Sequence, residues 1–277
     1  MKAPRMTQAR VPLTHTVQVL DETGALRSLD IPAERALTLY VDKRELVTLM
    51  TLGAHPEWMS LGYLLNQRLI AHADDVESIT VDWEVGAAGI RTRHGIADLA
   101  VRTASRVVTT GCGQGSVFGS LMDGIANLAL PPTRVNADTL HAITDTIRLQ
   151  DSIYKQSGSV HGCALFSADK LQLFVEDVGR HNAIDTIAGW MALQPQPLQN
   201  GILYTTGRLT SEMVIKAATM GIAVVVSRSG ITQMGLSVAN SLGLCAIGRA
   251  VHRRFLCYAG FERLQVGAAA VATPAAV

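Results

Sequence analysis

A single cysteine stands among three glycines in Thr109-Thr110-Gly111-Cys112-Gly113-Gln114-Gly115-Ser116. Glycine reaches backbone conformations closed to other residues and lets a partner approach closely. A thiolate presented there can attack an electrophile or accept an atom, so Cys112 is the candidate catalytic residue. The bland alternative is a surface loop whose thiol does nothing.

Two further groups carry charge. Glu176-Asp177-Val178-Gly179-Arg180-His181-Asn182 is dense in ionisable side chains and runs into an apolar helical pattern. Arg180 and His181 therefore sit at a helix start, either as a capping turn with a solvated charge cluster or as the cations that favour a thiolate at Cys112. Farther on, Arg208, Arg228 and Arg249 each follow a short run typical of a buried strand. Open α/β sheets bind ligands beyond the carboxyl ends of their strands, helix N-termini favour anions, and the guanidinium fork suits phosphate. Arg253 and Arg254 add charge, and a phosphate-bearing ligand is expected. Solvated loop arginines are the alternative. The Gly-x-Gly-x-x-Gly pattern of dinucleotide-binding folds is absent from this region.

The elements that must position these groups follow from periodicity. Residues 38–41 and 46–49 read as a hairpin around Asp42-Lys43-Arg44. Pro56 suits the start of a helix with Leu61, Leu64, Leu65 and Leu69 on one face. Residues 79–83 and 90–92 read as strands, whereas residues 1–35 are polar with weak periodicity. Asn136 caps a helix carrying Leu140, Ile143 and Ile147 that is expected to run to about Tyr154. Residues 161–166 and 171–176 form a second hairpin, and a helix over 183–193 follows. Strands at 202–205, 222–226 and 244–247 alternate with helices at 211–220 and 233–242. That β-α-β-α-β order predicts a parallel sheet with right-handed crossovers. The domain reading is a smaller α+β region over 1–105, a main α/β domain over 106–264, and a frayed tail over 265–277.

Composition narrows the classes. The chain has 277 residues, is 48% hydrophobic and 17% charged, and carries a net charge of +1. A sizeable core is expected, with no broadly basic surface for nucleic acid. No signal-peptide run opens the chain and no apolar stretch reaches the roughly 20 residues of a membrane span, so a cytoplasmic protein is expected. The four cysteines, Cys112, Cys163, Cys245 and Cys257, lack Cys-x-x-Cys spacing, which points to reduced thiols rather than a zinc ribbon or disulfide framework. Cys163 reads as a small buried hydrophobe, and Cys245 and Cys257 as structural. The His-x-Glu and Pro-Cys-x-x-Cys elements of zinc deaminases are missing.

Thr110-Gly111-Cys112-Gly113, Ser157-Gly158-Ser159-Val160-His161 and Val175-Glu176-Asp177-Val178-Gly179-Arg180-His181-Asn182-Ala183-Ile184-Asp185 together resemble the formate dehydrogenase accessory sulfurtransferases, the FdhD family. The likeness covers about residues 36–264 and is loosest over 46–75. It implies a cytidine deaminase-like α/β/α main domain without the zinc site, and a homodimer. It implies acceptance of persulfide sulfur from a cysteine desulfurase. That sulfur passes to the molybdenum bis-molybdopterin guanine dinucleotide cofactor, bound as substrate, of a molybdenum-dependent formate dehydrogenase. Cys112 would bear the persulfide, with no catalytic metal. Arg180, His181, Gly207, Arg208, Arg228, Ser229, Arg249, Ala250, Val251, His252, Arg253 and Arg254 would bind the cofactor, with guanine nucleotide as its recognisable fragment. Nucleic acid and membrane are not expected partners. The sequence departs from the family twice. Gly115 replaces the second cysteine of the usual Cys-Gly-x-Cys-Gly loop, and Gly248-Arg249-Ala250-Val251-His252-Arg253-Arg254 rearranges the usual C-terminal cofactor segment. A non-catalytic cofactor-binding chaperone and a zinc hydrolase on a deaminase-like fold are the alternative readings.

Overall fold

Short β-branched runs joined by turn residues dominate the chain, and most pair with a sequence neighbour. The structure is a computed structural model, and the residues described are 3–97, 99 and 128–265. Strand β1 (Arg5–Met6) precedes a separate two-stranded hairpin of β2 (Thr14–Leu20) and β3 (Leu26–Pro32). The weak periodicity of residues 1–35 hid these strands, although a turn signal was there. The Asp21 carboxylate accepts hydrogen bonds from the Thr23 and Ala25 amides, at 2.9 and 3.0 Å, and Gly24 takes a φ of +82°, as a tight turn requires. Strands β4 (Arg35–Val41) and β5 (Arg44–Thr51) form the expected hairpin, with Asp42 and Lys43 at positive φ.

Helix α1 (Pro56–Asn66) begins at its proline. Strands β6 (Val76–Asp82) and β7 (Ala87–Thr92) complete a five-stranded sheet in the order β1-β6-β7-β4-β5. Strand β8 (Val135–Asn136) leads into α2 (Ala137–Leu149), whose first turn is capped by the Asn136 side chain. The single helix expected to reach Tyr154 is in fact two. Gln150 is extended, with ψ +133°, and Ser152 caps a separate short helix, α3 (Ile153–Ser157).

The main sheet follows. Strands β9 (His161–Ser167) and β10 (Lys170–Asp177) pair antiparallel, and α4 (Arg180–Ala192) starts three residues earlier than its apolar pattern suggested. Then come β11 (Gly201–Thr205), α5 (Ser211–Thr219), β12 (Val224–Ser227), α6 (Gln233–Leu242), β13 (Cys245–Val251), β14 (Arg254–Ala259) and β15 (Leu264–Gln265). The six-stranded order is β10-β9-β11-β12-β13-β14. Its centre, β11-β12-β13, is parallel as expected of the β-α-β-α-β run, and the outer pairings are antiparallel. The sheet is mixed and covered on both faces. Leu165, Leu203 and Val225 face α4, α5 and α6, while Phe166, Tyr204 and Val226 face Leu140 and Ile143 of α2.

Helices α1 and α4 cross at almost backbone contact. A Cβ built on Gly62 would overlap the Asp185 carbonyl, and one built on Gly189 would overlap the Trp58 carbonyl. Asp185, wholly buried, accepts from Asn66 of α1 at 2.7 Å and from the Lys216 ammonium of α5 at 2.8 and 2.9 Å. Among the described residues no helix is long and apolar enough to cross a membrane.

Candidate functional site

Parallel strands with right-handed crossovers put the turns after β11, β12 and β13 on one edge of the sheet. The turns after β11 and β12 and the irregular stretch of the third strand at Arg249 are stitched together in series. Ser227 Oγ donates to the Gly207 carbonyl at 2.7 Å, the Leu209 amide to the Gly230 carbonyl at 2.9 Å, and the Arg249 amide to the Ser229 carbonyl at 2.7 Å. The arginine-bearing turns thus share a hydrogen-bonded frame, but their side chains diverge. Arg228 lines an inner cavity of about 230 Å³ with Tyr154, Glu176, Tyr204, Ala250 and Val251. It also lines an adjoining cavity of about 470 Å³ that His161, Ser159 and Ser229 border. Arg249 lines an outer groove of about 710 Å³ with Val251, His252, Arg253 and Arg254. Arg208 is exposed beside neither.

Arg249 corrects one expectation. It does not follow a strand ending at Ile247. Strand β13 continues to Val251 through an irregularity, with Arg249 at a φ of +51°. Arg253 lies 3.8 Å from Asp145, with both side chains largely exposed, a contact of little net value in water.

Helix α3 supplies what the sequence reading missed. The Glu176 carboxylate accepts from Ser152 Oγ at 2.7 Å, from the Ile153 amide at 2.6 Å and from the Tyr154 amide at 3.1 Å. A five-residue helix is marginal without such support, and a carboxylate at its N-terminus also complements its dipole. So held, Tyr154 lies with its ring centroid 5.6 Å from the Arg228 guanidinium carbon, within cation–π range. Burial pushes the Tyr204 hydroxyl, in the same cavity, up to about 12, against the pull of Arg228. His161 is held below its usual value by burial and by the charges of Arg180 and Arg208. Thr206 Oγ1 accepts from the Gly162 amide at 3.0 Å and approaches the His161 ring to 3.5 Å. Gly158, at a φ of +72°, ends α3 beside this site.

The Glu176–Asn182 run is not a solvated cluster, because Arg180, His181 and Asn182 are all buried. Asp177 accepts from the Thr51 hydroxyl, the Leu52 and Gly179 amides and the Asn182 amide group, and Asn182 also donates to the Met50 carbonyl at 2.7 Å. Together they fasten the start of α4 to the end of β5. Burial nonetheless pushes Asp177 up to about 6. The Arg180 stem packs on Gly207, where a Cβ would meet its Cδ at 2.7 Å. His181 stands 3.4 Å from Glu212, too long for a strong hydrogen bond. Burial, reinforced by Lys216 and Arg180, pushes its ring down to about 2. His181 is therefore neutral at pH 7, and of the two cations expected to activate Cys112 only Arg180 carries charge. Cys112 and its loop lie outside the described residues. Cys163 is buried, 3.3 Å from Thr205 Oγ1, with its thiol pushed up to about 12 by burial, the state of an inert core thiol.

Residues 32–265 match the FdhD/NarQ family model. The chain belongs to the FdhD/NarQ family. It is 29% identical over 236 residues to the sulfur carrier protein FdhD of Bacillus pumilus, covering 85% of this chain and 90% of that one. It is 26% identical to that of Halalkalibacterium halodurans, covering 94% and 97%. The crystal structure of a formate dehydrogenase accessory protein from Desulfotalea psychrophila superposes with a TM-score of 0.73 at 24% identity, over 92% of this chain and 100% of that one. The mixed α/β fold expected for the family is therefore the fold observed.

Proposed function

We propose that this chain is a cytoplasmic sulfur carrier, acting as a homodimer, that serves a molybdenum-dependent formate dehydrogenase. Cys112 takes sulfur from a cysteine desulfurase: its thiolate attacks the terminal sulfur of the donor persulfide, the donor S–S bond breaks, and the donor cysteine leaves as thiolate. The resulting Cys112 persulfide delivers that sulfur to the bis-molybdopterin guanine dinucleotide cofactor, bound as substrate. The observation that carries the reading is membership of the sulfur-carrier family by a chain with an arginine- and tyrosine-walled cavity beyond three parallel strands. Arg228 is the cation best placed for a nucleotide phosphate, because it lines both inner cavities. Arg208, Arg249, Arg253 and Arg254 supply the outer charge that draws a polyanion in, and His252 lines the same outer groove.

Cyanolysis of the protein after incubation with a desulfurase tests the sulfur step. Sulfane sulfur on the wild type and none on Cys112→Ser is expected. A wild-type load on Cys112→Ser refutes it. Guanosine diphosphate is the fragment for the ligand step. Arg228→Ala should weaken its binding by about tenfold or more, since a charge-assisted hydrogen bond contributes roughly 1.5–3 kcal/mol and about 1.4 kcal/mol is a factor of ten. Nucleotide binding without any sulfane sulfur would favour the chaperone reading, which Gly115 in place of the second loop cysteine invites.

A further inference from the structure

Two of the cysteines outside the Cys112 loop are not isolated from one another. Cys245 opens β13 and Cys257 lies on β14, the edge strand of the six-stranded sheet. Their sulfurs stand 4.0 Å apart. The register explains the approach. Ala246 pairs with Ala259 and Ile247 with Cys257, so β14 advances two residues where β13 advances one. This bulge at Tyr258 brings Cys257 diagonally onto Cys245, on the sheet face shared with Ile247. The two thiols differ in access. Cys245 is wholly buried, whereas Cys257 is only partly buried and rests against the Ala259 carbonyl at 3.3 Å. Cys163, by contrast, sits in the opposite core with Thr205 and the Arg180 carbonyl, apart from the other described cysteines.

We propose that Cys245 and Cys257 are a peroxide-responsive dithiol, a modification site separate from Cys112. The accessible Cys257, as thiolate, attacks one oxygen of hydrogen peroxide. The O–O bond breaks, giving a sulfenic acid and, with a proton from solvent, water. The Cys245 thiol then attacks the Cys257 sulfur, the S–O bond breaks, and hydroxide leaves with the Cys245 proton as a second water. Overall, two thiols and one peroxide give one disulfide and two waters. The peroxide is reduced and the sulfurs are oxidised. The sulfurs must close from 4.0 Å to about 2.05 Å, a movement that side-chain rotation and a small shift of the edge strand at its bulge can share. The closed loop contains Arg249, His252, Arg253 and Arg254, the residues of the outer groove. Oxidation therefore fastens the hairpin that carries them. The inference depends on neither sulfur carriage nor nucleotide binding.

The test uses full-length Cys112→Ser protein, so that the loop thiol cannot pair between chains. After stoichiometric hydrogen peroxide and quenching, intact mass should fall by two hydrogens. A non-reducing digest should link the peptides holding Cys245 and Cys257, and dithiothreitol should reverse both changes. Cys163 should remain a thiol, and the melting temperature should rise on oxidation. Adding Cys257→Ser should abolish the linkage. A second arm traps wild-type protein with dimedone during oxidation. A dimedone adduct on Cys257, formed at the expense of the linkage, is expected; an adduct on Cys245 with Cys257 left reduced overturns the proposal, as does absence of oxidation at either residue. A linkage between Cys257 residues of two chains overturns it equally, and the wild-type arm decides even if the double variant fails to fold.

Discussion

Asp185→Asn is the substitution whose cost can be worked most directly. The Asp185 carboxylate is wholly buried and takes both bonds from Lys216 Nζ, at 2.8 and 2.9 Å, plus one from Asn66 at 2.7 Å. It thereby joins α1, α4 and α5. Asparagine keeps the shape and one acceptor but removes the charge that faces a buried ammonium. Breaking a buried pair by neutralising one partner costs about 3–5 kcal/mol, because the remaining ion has lost its compensation. For a chain of this size that lowers Tm by roughly 10 °C. Adding Lys216→Met removes the second charge and puts an apolar stem of similar length in its place. The double variant should recover most of the loss, since exchanging a whole buried pair for apolar groups is often near neutral. Urea denaturation at pH 7, followed by circular dichroism with all four proteins of the cycle, measures this. A single variant within about 1 kcal/mol of wild type would refute the argument. So would a double variant less stable than either single, which would assign the cost to packing.

His181 makes stability fall in acid. Its folded value, about 2, lies below the unfolded value of about 6.5. The unfolded chain therefore takes up the proton, and stability present above pH 6.5 is lost as pH falls. The loss is about 2 kcal/mol at pH 5. Asp177, raised to about 6, opposes this between pH 7 and 5, so the difference between wild type and His181→Gln isolates the histidine. A pH-independent difference would refute this, because it would mean that the ring titrates alike in the folded and unfolded chains. Glu176→Ala frees the start of α3 and with it Tyr154. Guanosine diphosphate affinity should fall about tenfold by calorimetry, on the scale of one or two lost charge-assisted bonds. Retention of affinity would show that α3 holds its place without the carboxylate. Gly189→Ala forces a methyl into the Trp58 carbonyl, and a soluble yield and melting temperature equal to wild type would contradict the backbone contact between α1 and α4.

The parts of this molecule that could be read from its sequence are those fixed locally. The β-branched, uninterrupted runs at β11 and β12 mark strands covered on both faces. The glycines at 221 and 243, both at positive φ, stop their helices where left-handed conformation is needed. From these alone the parallel centre of the sheet, and hence the edge that carries Arg208 and Arg228, could be deduced, but not that Arg249 lies within its strand and that the three side chains diverge. What could not be read depends on residues far apart in sequence. Glu176 caps a helix 23 residues before it, and that helix carries Tyr154 to Arg228. The ionisable run from Glu176 to Asn182 looked like surface because its compensating partners, Met50, Thr51 and Leu52, lie on β5 and beside it, more than 120 residues away. Charge in a sequence marks where a partner must exist, not whether that partner is water or protein. Here the partner is protein. The segment that resembled a ligand-binding motif therefore divides its residues: Asp177 and Asn182 hold two sheets together, His181 is neutral, and Glu176 lines the inner cavity and caps the helix that carries Tyr154 into it.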